Sequence, residues 1–211
     1  KRKVRSGQSA AYGLFSWRIL WNRQKTGNIW IQHKKTQKEE TEKMNKNIVL
    51  IGMPGVGKST VGVILAKVLG YQFVDADLVI QKRENRLLRE IIEQEGLDGF
   101  LEAEEEANIS IAEQCEKSVV ATGGSVVYCK KAMEKLRETG RIVYLKLEYE
   151  NLSKRLGNLK GRGVVLKDGQ DLKGLYEERI PLYEKYADLT IDEENLDVEQ
   201  TLQKIIESLS A

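Results

Sequence analysis

The rhythm of apolar positions changes at about residue 47. Before that point they come in short clumps, Ala11–Phe15 and Ile19–Trp21, with no sustained helical or strand period. After it the pattern is regular. Ile48-Val49-Leu50-Ile51 is an unbroken apolar run, as expected of a strand buried on both faces of a parallel sheet. Runs at Gln72–Val74, Ser118–Thr122, Arg141–Leu147 and Asp188–Ile191 predict further strands. Helical spacing appears over Val61–Leu69, Leu78–Glu95, Gly99–Cys115, Lys130–Glu138, Asp171–Tyr186 and Val198–Leu209. Strand alternating with helix predicts an α/β fold, a parallel sheet covered on both faces. No repeat of solenoid length is present.

Composition sharpens the same boundary. The 211 residues are 41% hydrophobic and 31% charged, with 34 basic against 32 acidic side chains, which excludes a strongly polybasic nucleic-acid binder. The average hides an asymmetry: residues 1–43 carry a net charge of +8 and all three tryptophans, whereas the remainder carries −6. Two cysteines, Cys115 and Cys129, cannot staple a chain this long, and no apolar run is long enough to span a membrane. Residues 1–43 admit three readings: a basic arm for nucleic acid or anionic lipid, an organellar transit peptide, or translated upstream sequence. The last is preferred. The first Met is Met44, and back-translation of Lys38–Met44 permits a purine-rich ribosome-binding run, a spacer and a start codon. The chain therefore divides into an extension, residues 1–43, expected to be disordered or not native coding sequence, and a domain, residues 44–211.

The first predicted strand runs into Gly52-Met53-Pro54-Gly55-Val56-Gly57-Lys58-Ser59-Thr60, a full match to the phosphate-binding loop in its strand–loop–helix setting. Glycines turn backbone N–H groups inward around phosphate oxygens at the positive end of a helix. Lys58 adds a cation for the β and γ phosphates, and the Ser59 hydroxyl is a hard ligand for Mg²⁺. The alternative, a glycine turn that binds nothing, does not require the Lys and Ser. Directly after the second strand stands Asp75-Ala76-Asp77, where ligands gather in an open parallel sheet. One carboxylate can hold Mg²⁺ through water while the other takes a proton from a substrate hydroxyl. Residues 44–211 hold no histidine, so a carboxylate is the available base. Asp77 could instead be a helix N-cap. The acidic run at Glu102 and Glu104–Glu106 reads as a solvated helix face.

Taken together, the loop, the Asp-x-Asp about fifteen residues on, Ala121-Thr122-Gly123-Gly124, Arg179-Ile180-Pro181-Leu182-Tyr183 and Ala187-Asp188-Leu189 resemble the shikimate kinases over residues 46–209. The resemblance implies a P-loop kinase sandwich, with a five-stranded parallel sheet, helices on both faces and a lid loop. It implies ATP and Mg²⁺ as cofactors and shikimate as the small-molecule acceptor. ATP would meet Gly55, Val56, Gly57, Lys58, Ser59 and Thr60, with Arg162 closing from the lid stretch Gly157–Gly169. Ser59 and, through water, Asp75 would hold the metal. Asp77 would bind and activate the hydroxyl, Gly123 and Gly124 would contact the substrate, and Arg179 would pair with its carboxylate. Lys58, Asp77 and Arg162 form the expected catalytic set.

Three positions depart from the family pattern. Its Phe-Arg pair reads Phe100-Leu101, its triple glycine reads Gly123-Gly124-Ser125, and its lid Arg-Pro-Leu-Leu reads Arg162-Gly163-Val164-Val165. Losing one charge-assisted hydrogen bond of roughly 1.5–3 kcal/mol weakens substrate binding by about 10- to 150-fold, unless Arg83, Arg86 or Arg89 supplies the charge. The sequence thus leaves a kinase of a different small hydroxy compound, or a regulatory nucleotide binder without turnover, beside the shikimate reading. Arg179, flanked by Glu177 and Glu178, could also be a surface arginine in an ion pair. A nucleic-acid-associated ATPase rests wholly on residues 1–43; none is expected for 44–211, nor any membrane contact. A monomer in the cytoplasm is expected, the transit-peptide reading being the exception.

Overall fold

The computed structural model describes residues 46–156 and 169–210. Residues 1–43 and residues 157–168, which include Arg162, lie outside the described residues. Five strands, β1 Asn47–Ile51, β2 Gln72–Asp75, β3 Ser118–Ala121, β4 Gly140–Lys146 and β5 Leu189–Asp192, form one sheet in the order β2-β3-β1-β4-β5, with every pair parallel. All of β1 is buried, so its position at the sheet centre explains a run with no polar alternation. Its one polar residue is satisfied: Asn47 Nδ2 donates to Cys115 O at 2.7 Å, and Asn47 Oδ1 accepts from the Ser118 N–H at 3.0 Å.

Among the described residues seven α-helices surround the sheet: α1 Lys58–Leu69, α2 Ala76–Glu84, α3 Leu88–Gln114, α4 Lys130–Thr139, α5 Tyr149–Arg155, α6 Leu172–Tyr186 and α7 Val198–Ser210. The connection through α1 runs one way along the sheet, from β1 to β2, and the later crossovers run back. Right-handed crossovers therefore place α1, joined by α7, on one face and α3, α4 and α6 on the other.

Some element boundaries differ from the sequence reading. The helix expected over Leu78–Glu95 is broken: α2 ends at Asn85, which takes a left-handed conformation (φ 51°). The next helix is started by the Glu90 carboxylate, which accepts from the Leu87 N–H at 2.8 Å. It continues to Gln114 through a kink at Gly96 (φ 72°, ψ −169°), so the expected gap before Gly99 is only a bend. Helix α5 was not expected at all. Asp188 precedes β5 rather than joining it, and its carboxylate accepts from the Ile142 N–H at 2.9 Å and from Arg137 Nη2 at 2.9 Å.

Strands β1 and β3 are neighbours whose chains depart in opposite directions, which opens a crevice at their carboxyl ends. Register keeps those ends level, since Ala121 pairs with both Leu50 and Asp75. The Thr122 hydroxyl donates to Leu50 O at 2.9 Å and fixes where the third loop leaves the sheet. The Gly52–Ser59, Asp75–Asp77 and Thr122–Ser125 segments consequently converge on one place.

Candidate active site

The floor of the crevice is the loop between β1 and α1. Gly52 has φ 143°, and a Cβ there would stand 2.6 Å from Leu145 O, so only glycine fits. Arg155 Nη1 braces the far side by donating to Val56 O at 3.1 Å. Lys58 is buried and its Nζ donates to Gly52 O at 2.7 Å and Met53 O at 3.0 Å. Burial pulls its pKa down to about 8, with Asp77, Glu104 and Asp75 acting against the shift and Arg179 with it. It stays protonated at neutral pH. Ser59 and Thr60 are exposed at the start of α1, while Val56 is buried and holds the loop to the core.

Asp75 and Asp77 take separate roles. Asp75, not Asp77, is the helix N-cap: its Oδ1 accepts from the Asp77 N–H at 3.1 Å. Its other oxygen, Oδ2, accepts from Ser59 Oγ at 2.8 Å, which joins the end of β2 to the phosphate loop. Asp77 is thereby free of capping duty and lines a cavity of about 320 Å³ together with Gly55, Lys58, Ser59, Gly123 and Gly124. Burial, then the nearby Asp75, push its pKa up, and Lys58 pulls against them.

The opposite wall is built from the loop after β3 and from α6. A Cβ on Gly124 would lie 2.7 Å from Pro54 Cδ and 3.1 Å from Arg179 Nη1, so the backbone itself forms this wall. The Tyr183 hydroxyl donates to Gly124 O at 2.6 Å, and its ring stacks on Tyr144 with centroids 5.1 Å apart. Arg179 is 2% exposed, which overturns the reading of it as a surface arginine in an ion pair. Its Nε donates to the Tyr128 hydroxyl at 3.3 Å and its guanidinium stands 5.2 Å from the Tyr128 ring centre. Among the described residues no carboxylate pairs with it.

Glu104 overturns a second expectation. It is not on a solvated face but 0% exposed, directly behind Gly123, where any Cβ would collide with its Oε1. Neither of its carboxylate oxygens has a hydrogen-bond partner of normal geometry. Burial lifts its pKa to about 7; the Ser125 hydroxyl opposes the rise and Asp77 adds to it, while Arg179 and Lys58 also oppose it. Ser125 itself sits comfortably at φ −90°, ψ −9°, so the serine in the glycine run brings no backbone strain.

The arginines considered as substitutes for a charge at Leu101 are committed elsewhere. Arg83 pairs with Glu106 at 3.0 Å, Arg86 pairs with Glu84 at 2.8 Å and Glu95 at 2.6 Å, and Arg89 is exposed. Leu101 packs against the small cluster of Ile80, Ile91, Phe100 and Ala107.

Residues 54–210 match the shikimate kinase family. A shikimate kinase of Thermodesulfovibrio yellowstonii is 39% identical over 163 residues, 76% of this chain and 93% of the relative. One of Moorella thermoacetica is 36% identical over 80% of this chain and 96% of its own length. Among solved structures, the shikimate kinase of Acinetobacter baumannii in complex with shikimate is 31% identical, with a TM-score of 0.73 over 81% of this chain and 96% of that one.

The chain belongs to the shikimate kinase family. It is thus an ATP-dependent phosphotransferase on the five-stranded parallel fold of that family. Within this kinase Gly55, Gly57, Lys58, Ser59, Thr60, Asp77, Gly123 and Gly124 line one crevice, Asp75 joins it through Ser59, Arg179 stands against Gly124, and Val56 is buried in the core. Arg162 lies outside the described residues. From sequence alone Glu104 reads as part of a solvated face, Tyr183 enters only within the family motif and Arg155 is not named, although Glu104 stands three residues after Leu101, one helical turn from the altered position.

Proposed function

We propose that this kinase transfers the γ-phosphoryl group of ATP to a hydroxyl of shikimate, holding the acceptor's carboxylate with Arg179 alone among the described arginines. The observation that carries the reading is a buried guanidinium without an ion-pair partner among the described residues, set against Gly124, whose backbone lines the same cavity as Asp77. A buried cation left uncompensated in this way favours an anionic ligand group. The solved relative bound to shikimate agrees with that chemistry.

The roles follow from placement. The Gly52–Gly57 backbone and the α1 N-terminus receive phosphate oxygens, and Lys58, now tied to the Gly52 and Met53 carbonyls, can turn toward them. Ser59 Oγ and Asp75 Oδ2 form a hard-oxygen pair that fits Mg²⁺ at the loop mouth, Asp75 reaching it through water. No group of three or more His, Cys, Asp or Glu is gathered for a metal among the described residues, as suits an ion that takes most ligands from phosphate and water. When bound, Mg²⁺ neutralises charge building on the phosphates. Asp77 accepts the proton of the attacking hydroxyl as its oxygen bonds to phosphorus and the bond to the ADP oxygen breaks. Arg162 is assigned by resemblance to closure over the phosphates.

The reading also carries a monomeric cytoplasmic enzyme acting through residues 44–211 without nucleic acid or membrane. Its support is that the family match starts at residue 54, beyond the 1–43 extension. The test is ADP release with Mg²⁺-ATP, comparing shikimate, a panel of uncharged polyols and a blank without acceptor. Saturable shikimate-dependent turnover is expected. Turnover on polyols with shikimate at the blank rate would overturn the acceptor assignment and leave the kinase intact.

A further inference from the structure

Behind the Gly123 wall of the pocket lies a carboxyl group with no ion-pair partner among the described residues. Glu104 is fully buried behind Gly123, and among the described residues neither of its oxygens has a hydrogen-bond partner of normal geometry, the Ser125 hydroxyl being close but poorly aligned, although native interiors rarely leave such groups unsatisfied. Leu101 stands three residues earlier on the same helix, one turn away and on the same side. It is apolar and committed to the Ile80–Phe100 cluster. Each element packed around Glu104 brings a titratable or charged group: Asp77 from α2, Lys58 from α1, Arg179 and Tyr183 from α6, and Cys129 at the start of α4. Ser125 adds a neutral hydroxyl.

We propose that Glu104 is a positioning residue that couples acceptor binding to a proton: as a neutral acid it leaves Arg179 available to the acceptor's carboxylate, and as an anion it competes for that same charge. The inference rests on the shikimate reading above. Its physical basis is the charge count of a closed pocket. Arg179 is buried, and the acceptor adds one negative charge beside it. A second, buried negative charge behind Gly123 would weaken the attraction and cost further desolvation, so the acceptor binds best to the protonated form. An arginine at position 101 would remove the coupling, because a permanent cation one turn away keeps Glu104 ionised and compensated. The leucine therefore does more than delete a contact. It makes the state of Glu104 conditional.

The expected magnitude follows from the titration. A group with a pKa near 7 in the free enzyme loses most of its proton between pH 6 and 8. If only the protonated form binds, the shikimate KM rises about tenfold over that interval. In Glu104→Gln, which keeps the shape and cannot ionise, the shikimate KM should be flat over the same range, while the acid limb of kcat from Asp77 persists. Leu101→Arg should also flatten the KM profile and lower its level. A structural role alone would shift KM without altering its pH dependence.

Three measurements on the full 211-residue chain decide the matter: the KM profile of the three proteins, proton uptake on shikimate binding by calorimetry in two buffers at pH 7, and carboxyl NMR of Glu104 without acceptor. Support consists of a rising wild-type profile, uptake of roughly half a proton that Glu104→Gln abolishes, and titration near neutrality. Shikimate turnover with a flat wild-type KM, or the same slope in the glutamine variant, overturns the coupling and leaves the shikimate reading standing. No shikimate turnover at any pH overturns that reading. Titration of Glu104 in the ordinary carboxylate range overturns the coupling whatever the acceptor.

Discussion

Replacing Arg179 by lysine tests the acceptor site most sharply, because the structure separates what the change removes from what it keeps. The guanidinium is 2% exposed, donates from Nε to the Tyr128 hydroxyl at 3.3 Å, and packs on that ring at 5.2 Å. Lysine preserves one positive charge but loses the planar fork that binds a carboxylate through two parallel hydrogen bonds. It also loses the stacked contact, so the ammonium is held less firmly in place. One charge-assisted hydrogen bond is worth roughly 1.5–3 kcal/mol, which converts to an increase in shikimate KM of about 10- to 150-fold. With Leu101 offering no second cation and Arg83 and Arg86 paired to glutamates, little compensation is available. The KM for ATP should change by less than about threefold, since the Arg179 side chain hydrogen-bonds Tyr128 and no residue of the phosphate loop. Steady-state ADP release at varied shikimate, with thermal melting as a check on folding, gives the answer. A variant that melts normally and keeps the wild-type shikimate KM refutes the role assigned to Arg179.

Other expectations are equally concrete. Asp77→Asn should lower kcat by about 10²- to 10⁴-fold with a well-folded protein, and the wild-type kcat should fall at acid pH with a midpoint above the ordinary aspartate value, because burial and Asp75 raise the Asp77 pKa. For stability, the Glu104 carboxyl binds its proton more tightly when folded. Its stabilising effect is therefore complete below the unfolded value of 4.5 and is lost as pH rises through about 7. The shift corresponds to about 3 kcal/mol, so denaturant unfolding should show the advantage of Glu104→Gln over wild type growing by that order between pH 4 and 8; a pH-independent difference would contradict it. Gly124→Ala forces a methyl to within 2.7 Å of Pro54 Cδ and should cost about 1–3 kcal/mol in urea unfolding, besides raising the shikimate KM.

Much of the site was legible because it is local. The phosphate loop needs its glycines, lysine and serine at fixed spacing beside one strand and one helix, and the chain writes them consecutively. The Asp75–Asp77 pair was legible for the same reason, though which of the two caps α2 depended on a single backbone hydrogen bond. The buried charges were not legible. Glu104 sits in Glu102-Ala103-Glu104-Glu105-Glu106, a stretch that looks solvated from end to end. It is buried by the Gly123 loop, α2 and α6, which lie far from it along the chain. Arg179 is disguised in the same way by Glu177 and Glu178, one of which bonds Tyr128 instead. Breaks in the helices fell between these extremes. Asn85 is a recognised left-handed terminator, but no glycine or proline marked it, and Gly96 marked a kink where an end was expected.

The central claim is that this kinase places a phosphoryl group on a carboxylate-bearing acceptor held by Arg179. Product analysis by mass spectrometry, after incubation with Mg²⁺-ATP and an equal mixture of shikimate and its uncharged carboxamide, tests it in one vessel. The account predicts that monophosphorylated shikimate accumulates at least about tenfold faster than the phosphorylated amide, the loss of one charge-assisted contact. Equal rates for the two, or phosphorylation of the amide alone, would contradict it.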